Sequence, residues 1–199
     1  MSRMPTAYAR DAVEYDRRTS AFARYREMVV GALPLRPGDT VIDAGCGTGL
    51  CGPLLRSHCA RLVGVDLSSQ MVERARLRQC YDELAVAELS AFMRSRPSMF
   101  DAVISADTLV YFGALEEPLS AAREALRVNG LLVFTIEALP ATASQSYRLE
   151  AHGRYAHGEQ YIRDALAATG FSVTAFTPAT LREESGEPVS GAVVTARRA

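Results

Sequence analysis

The chain has 199 residues, 48% of them hydrophobic and 23% charged, and a formal net charge of −1. This is the make-up of a globular protein and excludes a disordered or fibrous one; the near-neutral balance argues against a partner held by bulk electrostatics, such as duplex nucleic acid or an anionic membrane. All 22 basic residues are Arg, which removes Schiff-base lysine chemistry and the phosphate-binding lysine of a Walker loop.

In chain order, apolar residues at helical spacing between Arg18 and Leu33 (Phe22, Tyr25, Val29, Leu33) predict a helix that Pro34 and Pro37-Gly38 stop. The β-branched run Thr40 to Asp43 reads as a strand, a glycine cluster follows it, and Leu50 to Cys59 reads as a helix after Pro53. Leu62 to Asp66 is another strand, and Ser68 or Ser69 can cap a helix running to about Gln79. The alternation continues with a strand at Leu84–Ala87, a helix near Ala91, a strand at Asp101–Ser105, a helix from about Pro118 to Arg127 and a strand at Leu131–Ile136. Such a pattern predicts an α/β fold, a mostly parallel sheet with helices on both faces.

The end departs from the pattern. A helix from about Glu159 to Thr169 precedes strands at Phe171–Phe176 and Ala192–Thr195, with no ordinary crossover helix between the two strands, so they pair antiparallel or leave the sheet. Residues 138–158 read as an irregular insertion on the substrate side, too long for a simple connection, and residues 1–37 as an N-terminal helical cap of one domain spanning 1–199. Met1 to Tyr15 is too polar for a secretory leader, and no apolar run approaches the roughly 18 to 20 residues that span a bilayer. Cys46, Cys51, Cys59 and Cys80 form no Cys-x-x-Cys pair, so reduced thiols in the cytoplasm are expected, with no metal site.

The sharpest motif is Asp43-Ala44-Gly45-Cys46-Gly47-Thr48-Gly49, set between a predicted strand and a predicted helix. Glycines allow a tight turn and let a ligand lie against the main chain. The string Gly47-Thr48-Gly49-Leu50-Cys51-Gly52 also satisfies the dinucleotide pattern G-x-G-x-x-G. Counted from Gly45, however, Leu50 stands where the third glycine belongs. Asp43 would repel a pyrophosphate and suits an ammonium or sulfonium ligand. Asp66, about 20 residues further on, is placed to accept hydrogen bonds from ribose hydroxyls, with a helix-capping aspartate as the alternative.

On these residues the chain resembles the class I S-adenosylmethionine-dependent methyltransferases: Val41 to Gly49 is similar to the family's glycine-rich motif, and Gly64-Val65-Asp66-Leu67-Ser68 to its acidic motif one strand later. The resemblance implies a Rossmann-like sheet of seven strands, one of them antiparallel, with S-adenosyl-L-methionine as cofactor. It places Gly45, Cys46, Gly47 and Gly49 around the methionine end, Asp66 at the ribose, Leu67 against the adenine, and Glu88 with Leu89 near the adenine amino group. It also sets the end of the fourth strand, Ser105 to Asp107, beside the transferable methyl. The segments Ala106 to Gly113 and Gly153 to Glu159 are more similar to small bacterial members related to tetratricopeptide-repeat-fused methyltransferases.

Methyl transfer from a sulfonium needs a positioned nucleophile and, where the acceptor is protonated, a base. His157 is the expected base because an ordinary imidazole titrates near neutrality, and Asp107 the expected acceptor or cofactor contact; the alternatives are a surface histidine and a turn-capping aspartate. Tyr8, Tyr15 and Tyr155 are candidate lids or cation-attracting walls at the sulfonium, Tyr15 counted with the cofactor residues. No Asn/Asp-Pro-Pro-Tyr/Phe run follows the fourth strand, so the expected acceptor is a small molecule, acted on by a monomer or homodimer. A nicotinamide oxidoreductase and a non-catalytic cofactor-binding module of the same fold are the competing functions.

Overall fold

The computed structural model describes residues 23–184 and 186–199. Helix α1 (Ala23–Gly31) leads into β1 (Thr40–Ala44), α2 (Gly52–Arg56), β2 (Arg61–Asp66), α3 (Ser69–Leu77), β3 (Glu83–Val86), α4 (Leu89–Arg94) and β4 (Phe100–Ser105). A 3₁₀ turn at Leu109–Tyr111 is followed by α5 (Glu116–Ala125), β5 (Leu126–Ala138), β6 (Tyr147–Leu149), β7 (Tyr155–His157), α6 (Glu159–Ala168), β8 (Phe171–Glu184) and β9 (Glu187–Arg198). Among the described residues no helix is long and apolar enough to cross a membrane.

Strands β3-β2-β1-β4-β5 run parallel in that order, and their register explains the two core layers. Leu62, Val41, Ala102 and Leu131 form one row across the sheet and join the layer under α1 and α2, with Val29 and Leu55. The next row, Val63, Ile42, Val103 and Leu132, joins the opposite layer under α4, α5 and α6, with Phe92, Leu119 and Leu166. A strand buried on both faces needs a continuous apolar run rather than an alternating one. Local chemistry ends the helices where the sequence suggests. Pro53 opens α2 at its first turn, and the Ser68 hydroxyl accepts from Met71 N to cap α3.

The fold is the expected Rossmann-like, mostly parallel sheet, with strands beyond the seven anticipated. β9 pairs antiparallel with β5, and β8 pairs antiparallel with β9. Residues 138–158, anticipated as irregular, contain the hairpin β6–β7, and β7 runs parallel to β5 through Glu137↔Ala156 and Ala138↔His157. Glu137 also pairs with Gly191 of β9 on its other edge, so β7 occupies the β4 side of β5, in line beyond the carboxyl end of β4. The hairpin therefore stands directly behind the segment 106–113 that leaves β4. The sequence carries little sign of so short a hairpin, since Tyr147, Arg148 and Leu149 are all exposed and show no alternation.

Candidate active site

The glycine turn lies across the carboxyl ends of β1 and β2. Gly45 and Cys46 both donate their N–H to Val65 O, at 2.8 and 2.9 Å, and Gly49 N donates to Cys46 O at 2.8 Å. Gly45 has φ +80°, and a Cβ there would meet Thr108 Cγ2 at 2.3 Å. Gly47, φ +53°, faces open space; glycine is favoured there by its left-handed backbone, and it leaves the main chain bare toward the cleft. The cleft between β1, β2 and the 106–113 segment is lined by this turn together with Asp43, Asp66, Asp107, Thr108, Tyr111 and, from α1, Arg26.

Two expected carboxylates meet at the turn. Asp66 accepts from Gly47 N and from Ser68 N, both at 2.9 Å, so it ties the turn to the end of β2 while facing the cleft; burial raises its pKa and the backbone donors partly offset that. Asp43 is 2% exposed and accepts from the Tyr81 hydroxyl at 2.6 Å. Burial pushes its pKa up to about 7, the Tyr81 bond opposes the rise, and the Asp66 charge adds to it. Cys46 lines the same cleft as a buried thiol whose pKa is pushed far up by burial and by Asp43.

The remaining expected cofactor residues divide. Leu67 is exposed beside Asp66. Ser105 is buried behind the turn, where its hydroxyl donates to Ala44 O at 2.9 Å and joins β4 to β1. Glu88, expected near the adenine, caps α4: both its carboxylate oxygens accept backbone N–H groups, from Ser90 and Ala91, and it is not among the residues that line the cleft. Leu89 packs in the core layer. Tyr8 and Tyr15 lie outside the described residues.

At the end of β4 Asp107 lines the cleft and His157 does not. Asp107 has φ +56°, donates its N–H to Thr135 Oγ1 at 2.8 Å, and faces two guanidiniums, Arg182 at 3.3 Å and Arg154 at 4.0 Å. His157 is fully buried and absent from the cleft wall. Its Nε2 lies 3.0 Å from Phe112 O and 3.1 Å from Gly113 O, so in the neutral ring Nε2 carries the hydrogen. Burial lowers its pKa, and the two carbonyls only partly restore it. A general base must come within hydrogen-bond reach of the acceptor; in this position the imidazole instead holds the 106–113 segment against β7. Tyr155, expected as a lid, packs edge-on against Tyr147 at 5.9 Å, and both rings cover Gly113.

Sequence reasoning missed Arg26, Tyr81, Tyr111, Arg154 and Arg182. Tyr111 alone had a local signal, four residues after Asp107 at the end of the 3₁₀ turn. The others arrive from distant segments. A further cavity of about 580 Å³, between residues 138–146, α6 and Phe176 of β8, shares no residue with the cleft.

A family profile described as a methyltransferase domain matches residues 42–134. The chain is 27% identical over 161 residues to the malonyl-[acyl-carrier protein] O-methyltransferase of Enterobacter lignolyticus, covering 80% of this chain and 64% of that protein. It spans between 52% and 66% of the length of the first curated relatives it matches. Among solved structures it is similar to magnesium protoporphyrin IX methyltransferase from Synechocystis PCC 6803 with bound S-adenosylmethionine, at TM-score 0.63 and 21% identity over 91% of this chain and 79% of that one. The [4+2]-cyclase SpnF is also similar, at TM-score 0.71 and 17% identity over 88% of this chain and 80% of that one.

Proposed function

Since the chain belongs to the class I S-adenosylmethionine-dependent methyltransferases, we propose that it binds S-adenosylmethionine in the cleft at the glycine turn and transfers the methyl group to an oxygen of a small acceptor at the Asp107 end. The observation that carries this reading is the pairing of a bare glycine cradle with the charges around it. Asp43 and Asp66 offer carboxylates to an ammonium, a sulfonium and ribose hydroxyls, and Arg26 lines the same cleft and suits the methionine carboxylate. Leu67, 51% exposed next to Asp66, offers apolar surface to a base. An acidic Asp43 beside the turn disfavours the pyrophosphate of a nicotinamide cofactor.

When bound, the cofactor supplies an electrophilic methyl group for in-line displacement. The protein's own task is to orient and, where needed, deprotonate the acceptor. Asp107, on the cleft wall, is the residue we assign to that task, holding an acceptor O–H; His157 supports the wall from behind. An oxygen acceptor is favoured by the O-methyltransferase activity in the names of several relatives. The four unpaired cysteines suit a reducing, cytoplasmic setting.

Because one similar fold belongs to a cyclase, binding and turnover need separate tests. Thermal shift with S-adenosylmethionine, S-adenosylhomocysteine, NAD and NADP tests binding: a ligand at 100 times its Kd adds about 2.7 kcal/mol of stability. A larger shift with NAD than with S-adenosylhomocysteine would overturn the cofactor assignment. Methyl transfer to malonyl-acyl-carrier protein and to a panel of small hydroxyl and carboxyl compounds tests turnover, and binding without turnover on any of them would favour a non-catalytic module.

A further inference from the structure

The cleft wall at Asp107 is backed by charged groups that methyl transfer, as derived above, does not use. Arg182 is 8% exposed and Glu137 2% exposed. One guanidinium nitrogen of Arg182 lies 3.3 Å from Asp107 Oδ1, and the other is hydrogen-bonded to Glu137 Oε1. Arg154, from the turn between β6 and β7, approaches the other oxygen of Asp107 at 4.0 Å, and His152 of the same turn lies 3.4 Å from Glu137 Oε2.

The way Arg182 arrives is specific. β8 pairs with β9 through Thr180↔Ser190 and then Arg182↔Val189, so the ladder slips by one residue at Leu181. The irregularity leaves two consecutive side chains buried. Leu181 enters the core layer with Val29 and Leu33, and Arg182 reaches Asp107 and Glu137. Bulges of this kind re-aim side chains. A buried ion cluster is a poor source of stability, since well-packed apolar residues of the same volume do as well or better. Here the cluster's members come from β4's exit, β5, β8 and the β6–β7 turn and converge on one cleft residue held at positive φ.

We infer that Arg182, delivered by the β8 bulge and anchored on Glu137, is a positioning residue that sets the direction of the Asp107 carboxylate at the acceptor end of the cleft. This deepens the methyltransferase reading and rests on it for the identity of the acceptor end, while the placement of Asp107 itself can be measured without an acceptor.

The test compares wild type, Arg182→Met, Glu137→Gln/Arg182→Met and Arg182→Lys, each saturated with S-adenosylhomocysteine. Arg182→Met leaves two buried carboxylates without their shared cation and should lower Tm. Adding Glu137→Gln restores charge balance, because Asp107 keeps Arg154, and should recover most of that loss. In this double variant S-adenosylhomocysteine Kd should stay within about twofold of wild type, the backbone amide resonances of Asp107 and Thr108 should move, and kcat should fall about 10²-fold, the usual cost of an ångström-scale misplacement. Arg182→Lys, which keeps the charge but cannot bridge both carboxylates, should move the same resonances even if the double variant fails to fold. Asp107 and Thr108 resonances that return to their wild-type positions in either folded variant would overturn the inference and reduce Arg182 to charge balance. With malonyl-acyl-carrier protein as the turnover probe, an inactive wild type counts against that acceptor, and the resonances then decide the role of Arg182 alone.

Discussion

The two walls of the cleft draw their partners from different distances along the chain. The wall we assign to the cofactor is a contiguous stretch, residues 43–49, whose turn is closed by backbone hydrogen bonds to Val65 and within itself and is tied to its surroundings by the side chains of Asp66, Arg78, Tyr81 and Ser105. The wall we assign to the acceptor, residues 106–113, is held by four side chains from later in the chain and one main-chain carbonyl: Thr135 receives Asp107 N, His157 braces Phe112 and Gly113, Arg154 and Arg182 face Asp107, and Gly45 O receives the Thr108 hydroxyl. Backbone geometry is specified locally and tolerates little change. A wall held by side chains can be retuned one partner at a time, which suits the part of a site that must distinguish acceptors.

The strongest way to break this contrast is where the walls touch at Gly45 and Thr108. Gly45→Val should cost about 4 to 5 kcal/mol of folding stability, since its Cβ would strike Thr108 while its backbone sits at positive φ. Denaturant unfolding measures it, and a loss under about 1 kcal/mol would mean that the walls are not coupled through Gly45.

Asp43 sharpens the contrast through pH. Its folded pKa of about 7 lies above the ordinary 3.8, so the folded state holds this proton more tightly than the unfolded chain. The stability it confers is complete below pH 3.8 and is lost as pH rises through 7, a swing of roughly 4 kcal/mol at about 1.36 kcal/mol per unit. Asp43→Asn should remove that slope, read as the difference between the two proteins' stability–pH curves. S-adenosylhomocysteine affinity should rise as the wild type passes pH 7 and stay flat in the variant.

Asp66→Ala should weaken S-adenosylhomocysteine binding by about 1.5 to 3 kcal/mol, the scale of hydrogen bonds to a charged group, as calorimetry would show; unchanged affinity would leave Asp66 a tie between the turn and β2. The smallest effect belongs to His157. His157→Gln, which keeps an N–H donor, should change stability near pH 8 by only about 1 kcal/mol and leave cofactor affinity unaltered. Burial lowers the imidazole pKa, so the wild type should lose stability as pH falls below the ordinary histidine range, and the variant should not. A collapse of kcat with Kd and stability intact would restore His157 as a base.

The glycine-turn wall was legible because each of its requirements falls on neighbouring residues. Glycines at fixed offsets after a buried apolar strand, and an aspartate one strand later, carry both the turn and its carboxylate tie in one dimension. Glu88 shows the limit of such reading: a carboxylate before a helix suits a ligand or a cap equally well on paper, and the free N–H groups of α4 claimed it. The burial of His157 was illegible for a different reason, because polarity and loop position said nothing of the hairpin that encloses it.

The sequence by itself determined the alternation of strands and helices, the two apolar layers and the position of the glycine turn, since all of these follow from periodicity and local backbone preference. Tertiary structure alone decided the acceptor wall. The pairing of β7 with the far end of β5 and the slip in β8 at Leu181 bring Arg154 and Arg182 to Asp107 across separations of 47 and 75 residues. No local preference spans such distances; only the assembled sheet does.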